Sequence, residues 1–194
     1  MPRGRPRDFD AEQALQRVTA TFWTHGYQGT SIADLERDTG LGRTSLYAAF
    51  GDKRAMFARA LGHYWQARMG RSRAVLRAAP TARDGVAVLL AKAVANLSDP
   101  AQPPGCLRVN SALETGCLDE DATRALRAMQ AELEAAVLER LRADGGRDAG
   151  DGDSAVARFV VCTINGLAVS ARMGASRAEL ESTAAIALAA LATA

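Results

Sequence analysis

Residues 29–53, GTSIADLERDTGLGRTSLYAAFGDK, restrict the fold of this chain more than any other stretch. Two short helical patterns meet there at a tight turn rich in glycine. Thr30 stands in the N-cap position of a helix over residues 31–37, with Ile32 and Leu35 facing inward, and Gly40 makes the turn while Leu41 plugs it. Residues 43–50 then form a second helix with Leu46 and Phe50 at i, i+4 as its buried face. A helix, a tight turn and a second helix carrying small hydrogen-bonding side chains is the form of a helix-turn-helix reader of DNA.

The chain before this stretch supplies support. Asp10 and Gln13 have the spacing of a capping box, after which Ala11, Leu15, Val18 and Phe22 recur at helical intervals until Gly26 ends the helix. Ahead of it lies PRGRPR, residues 2–7. Proline keeps the segment extended and glycine allows close approach, so it is either an arm placing Arg3 and Arg5 in a minor groove or a basic tail. Both would strengthen binding to a polyanion. Residues 1–78 carry 13 Lys and Arg against 7 Asp and Glu, whereas the remainder has 11 against 15. A basic front on a mildly acidic body confines the polyanion to the front.

Beyond residue 52 the pattern is helical throughout, with no strand alternation and no internal repeat. Asp52 caps a long helix over residues 53–78, and further helices are expected over 81–97, 105–114, 119–143, 154–173 and 176–192. The run DGGRDAGDGD, residues 144–153, reads as an exposed, mobile loop because it has a single apolar residue. The last helix opens with the capping box Ser176-x-x-Glu179 and has almost no large polar side chain after Glu181. It is either central in the monomer or covered by a partner, and its small residues favour the partner. The fold class is all-α, with about nine helices.

Composition narrows the function. Hydrophobic residues make up 48% and charged residues 24%, as in a folded globular protein. The longest apolar runs are interrupted before the length of a membrane span, and the charged N-terminus lacks a signal-type apolar core, which makes the cytoplasm the expected location. The three cysteines form no CxxC pair, so neither a disulfide scaffold nor a structural metal site is expected. His25 and His63 lie in no ligand spacing and beside no nucleophile motif, so the chain reads as a non-enzyme without cofactor. A helical adaptor that binds only protein is the alternative, but it would leave the basic arm and the Arg43–Tyr47 cluster unexplained.

The TSIADL helix start, the TGLGRTSLY turn and recognition helix, and FGDK leading into a long helix together resemble the TetR family of transcriptional regulators. The resemblance is specific over the first third and only architectural beyond it. It implies residues 1–52 as arm and DNA-binding domain and residues 53–194 as effector-binding and dimerisation domain. It also implies a homodimer paired through its last two helices, bound to double-stranded operator DNA and released by a small-molecule effector. Thr30 would donate to a phosphate, Arg43, Thr44 and Ser45 would meet base edges, and Tyr47 would lie on the backbone or a thymine methyl. Lys53, with the amides at the start of its helix, would hold a phosphate. Ala48 and Ala49 stand where many relatives carry larger or polar residues, which shifts weight to the basic arm.

The body offers Trp65, Met69, Asn110 and Asn165 as lining for a mainly apolar effector pocket, although for any single one of them core packing is the favoured reading. Cys106, after Pro-Pro-Gly and in the first turn of a helix, is the cysteine on which a helix dipole would favour thiolate, and with it reactivity towards electrophiles or oxidants; the other reading is a small packing residue. Cys117 lacks that help, and Cys162 falls in an apolar helix where it would be inert.

Overall fold

The computed structural model describes residues 10–145 and 152–191, and every regular element among them is helical. In chain order these are α1 (Ala11–Gly29), α2 (Ile32–Thr39), α3 (Arg43–Phe50), α4 (Lys53–Ala78) and α5 (Ala82–Leu97). There follow α6 (Leu107–Ala112), a 3₁₀ turn (Thr115–Cys117), α7 (Glu120–Ala143), α8 (Gly152–Arg172) and α9 (Arg177–Ala190). The chain divides into two compact units, Met1–Tyr64 and Trp65–Ala194.

In the first unit the Asp10 carboxylate accepts the Glu12 and Gln13 N–H groups at 2.9 and 3.2 Å and starts α1. Of the stripe that helical spacing predicts, Val18 and Phe22 are buried and are joined by Ala14, whereas Ala11 and Leu15 are only partly buried. Gly26, at φ 75° and ψ 177°, breaks the helical geometry after His25. That break reassigns Thr30. Its hydroxyl donates to the Gly26 carbonyl at 2.6 Å, and the residue is 1% exposed, so it does not cap α2. Ser31 caps the helix instead: its hydroxyl accepts the Asp34 N–H at 3.1 Å while the Asp34 carboxylate accepts the Ser31 N–H at 2.9 Å. The Ser31 hydroxyl and amide, helped by Arg37, hold the Asp34 carboxyl well below the usual carboxylate range. Gly40 closes α2 in the left-handed region, φ 72°. An aromatic cluster fixes the interior. The rings of Phe22 and Phe57 meet edge to face with centroids 5.2 Å apart, and Trp23 and Tyr64 do so at 4.9 Å.

In the second unit α5, α7, α8 and α9 form the packed body, α8 lying against α7 on one side and α5 and α9 on others. Its interior is built from Leu76, Val86, Leu90, Leu133, Val137, Val160, Val161, Leu167 and Leu180. Each such side chain contributes about 1.5–3 kcal/mol through burial. By length and composition α8 alone among the described helices is apolar enough to cross a membrane, yet Ala157, Val160, Val161, Leu167 and Ala168 are buried in this packing. The short α6 rests on α7 and α8. Its entry requires Gly105, at φ +79°, where a Cβ would lie 2.9 Å from Asn110 Oδ1 and 3.2 Å from the Ala168 carbonyl.

The ends of the 144–153 run are not a free loop. The Asp144 carboxylate accepts the Ala82 N–H and pairs with Arg140, whose guanidinium also donates to the Pro80 carbonyl at 3.0 Å. Asp153 lies in the first turn of α8 and is buried. The polar composition predicts a loop, but at its start the Asp144 carboxylate is a helix-end anchor, and at its end Asp153 is already helical. Residues 146–151 lie outside the described part.

Candidate nucleic-acid interface

The amphipathic period of α3 decides what it presents. Leu46, Ala49 and Phe50 are buried, while Arg43, Thr44, Ser45, Tyr47 and Ala48 are exposed, Tyr47 by 42%. The helix therefore offers its N-terminal residues and Tyr47 on one accessible face, as a reader inserted by its first turn requires. Ala49 is not a missing contact: it packs inside, and only Ala48 leaves the surface smooth.

Gly42 occupies the N-cap of α3 and has no side chain to cap it. Glu36 of α2 does so, accepting the Arg43 N–H at 2.6 Å, and its other oxygen lies 3.9 Å from the Arg43 guanidinium. One carboxylate thus locks the turn and holds the Arg43 side chain, which remains 62% exposed. At the far end Gly51, φ 84°, turns the chain into α4, where Asp52 accepts the Ala55 N–H at 2.9 Å. Lys53 stands at this helix start with Nζ 4.6 Å from the Tyr27 ring centre. Thr30, buried and committed to Gly26, is not on the surface. Arg3 and Arg5 lie outside the described residues. Periodicity misses Glu36, because its cap reaches across the turn between two helices.

Residues 18–60 match the family model described as bacterial regulatory proteins, tetR family. Over 182 residues the chain is 31% identical to the HTH-type transcriptional repressor ComR of Escherichia coli (strain K12), covering 92% of this chain and 87% of that protein. The chain belongs to the TetR family. A TetR-family regulator, CifR, solved as a cysteine mutant in complex with a 26-base-pair operator duplex, superposes with a TM-score of 0.88. It is 40% identical, and the match covers 96% of this chain and 99% of CifR. The reduced form of Escherichia coli NemR shares the fold at a TM-score of 0.79 and 20% identity, over 91% and 94% of the two chains. This TetR-family chain is accordingly a DNA-binding transcriptional regulator, and the family is not one of enzymes.

In the second unit, two of the residues named as pocket lining, Trp65 and Asn165, meet at a residue that periodicity passes over, Arg108. Arg108, 5% exposed, donates through Nη1 to Gln130 Oε1 at 2.6 Å and through Nη2 to Asn165 Oδ1, and its Cζ lies 5.7 Å over the Trp65 ring. The Trp65 indole N–H in turn donates to Glu132. Asn110, also buried in α6, donates to the Pro104 carbonyl at 3.3 Å. Met69 is part of the apolar core instead. Cys106 is half-buried and sits at the N-cap of α6 rather than in its first turn, and a six-residue helix gives little dipole to act on it. Cys162, placed by its sequence among apolar neighbours, is exposed.

Proposed function

We propose that the chain is a ligand-responsive repressor that binds a palindromic operator as a homodimer and leaves it when a small molecule enters the second unit. The exposed row Arg43, Thr44, Ser45 and Tyr47 on a helix capped from outside itself carries this reading. In it Arg43 takes a guanine edge, Thr44 and Ser45 meet neighbouring base edges, and Tyr47 and Lys53 hold the backbone. The helix-turn-helix, with the arm, ends near residue 52, and the remainder receives the effector and the second copy. Repressor names among the relatives, and the operator complex of CifR, support the direction of regulation and the class of partner. A regulator of chromosomal genes would act in the cytoplasm.

The dimer reading rests on α8 and α9. Phe159, Cys162 and Val169 form an exposed apolar row on α8, continued by Met173 just past its end, and Ile186 is 71% exposed on α9 among alanines. A row of this kind in helices that are otherwise core elements is the composition of a helix-pair interface. For a reactive effector the residue on offer is Cys106; full response to an electrophile by Cys106→Ser would remove that branch.

Footprinting of the purified protein on the DNA upstream of its own gene tests the reading. Two chains should protect one inverted repeat, with half-sites about one helical turn apart. Protection without sequence preference would refute it.

A further inference from the structure

We propose that Arg108 is the receptor for the carboxylate of a small organic acid, which makes the effector an anion; this rests on the reading that the second unit takes an effector. Arg108 is a buried cation without an ion-pair partner among the described residues. Its two hydrogen-bond acceptors, Gln130 and Asn165, are neutral amides. The carboxylates that reach the cluster are engaged elsewhere: Glu134 accepts from Gln130 Nε2 at 2.7 Å, and Glu132 accepts from Trp65 and pairs with Arg73 at 2.8 Å. A guanidinium removed from water and met only by two amide dipoles and one aromatic face is unfavourable unless an anion joins it.

The donors for that anion are in place. Arg108 Nε and Ser111 Oγ are buried and have no hydrogen-bond partner among the described residues. They are three residues apart on α6 and therefore share a face. The Nε edge of a guanidinium offers two parallel N–H groups, the fork that fits a carboxylate, and a hydroxyl beside it can donate to the second oxygen. Gln130 and Asn165 fix the other end of the guanidinium, so the fork is held before the ligand arrives, and the Trp65 ring adjoining it suits an apolar body behind the charge.

Benzoate and octanoate, with benzamide and octanamide as neutral counterparts, are suitable probes for the full-length protein. At about a hundredfold excess over Kd, either acid should raise the Tm by about 5–10 °C, saturably, and weaken operator binding, while the amides do neither. Arg108→Gln, which keeps a hydrogen-bonding side chain but removes the charge, should fold and lose the response. Arg108→Lys should retain a weaker one, so a folding failure of the first variant leaves the second to decide. Equal shifts from acids and amides, an undiminished response in Arg108→Gln, or no response to either acid would overturn the proposal. Intact operator binding in that last case would spare the regulator reading, whereas absent operator binding would remove that reading by itself.

Discussion

Glu36 accepts the Arg43 backbone N–H at 2.6 Å and lies 3.9 Å from its guanidinium, so the residue that caps the reading helix also restrains its leading side chain. Replacing Glu36 with Ala should lower the stability of the first unit by about 1 kcal/mol, the usual value of a helix cap. Glu36→Gln keeps an acceptor but frees Arg43 from a negative neighbour. Affinity for random DNA should then rise a few-fold while the ratio of operator to random binding falls; competition titrations measure both.

Gly51 is the second control point of the reader. At φ 84° any side chain is strained, and a Cβ would stand 2.8 Å from the Ala55 Cβ. Gly51→Ala should cost about 1–3 kcal/mol in urea unfolding.

Much of this was legible in the sequence, for identifiable reasons. Val18, Phe22, Leu46 and Phe50 announce their faces because helix periodicity is local, and Gly26 ends regular α1 where expected. The N-cap of α2 was displaced by one residue because two hydroxyl residues, Thr30 and Ser31, compete for it. The choice depends on where Gly26 leaves its carbonyl. The Glu36 cap, the burial of Ala49 and the Arg108 cluster depend on contacts between helices, which no spacing within one helix reveals. For residues 144–153 the loop-forming composition predicts mobility, whereas the Asp144 carboxylate ties the end of α7 to the start of α5.

Asp144 also sets a pH dependence. The Ala82 N–H, and after it Arg140, lower its pKa from 3.8, so its folded form prefers the charged state more than the unfolded chain does. The resulting stabilisation is present above the unfolded value and is lost as pH falls through the lower folded one. Asp144→Asn should therefore melt below the wild type at pH 7, and the gap should close as pH falls below about 4. Thermal melts across that range check the sign.

Ile186, 71% exposed on α9, tests the proposed dimer face. Ile186→Asp should sediment as a monomer, keep its helical content, and bind the operator about a hundredfold more weakly through loss of the second half-site.

Reading of DNA sequence by the exposed face of α3 is measured by operator Kd against salt for the wild type and Arg43→Ala. A steep fall in log affinity with log salt, about 0.9 per neutralised phosphate, is expected for both proteins. Arg43→Ala should in addition lose about 1–3 kcal/mol of preference for operator over scrambled DNA. A wild type that binds both sequences equally, or with a slope near zero, would contradict it.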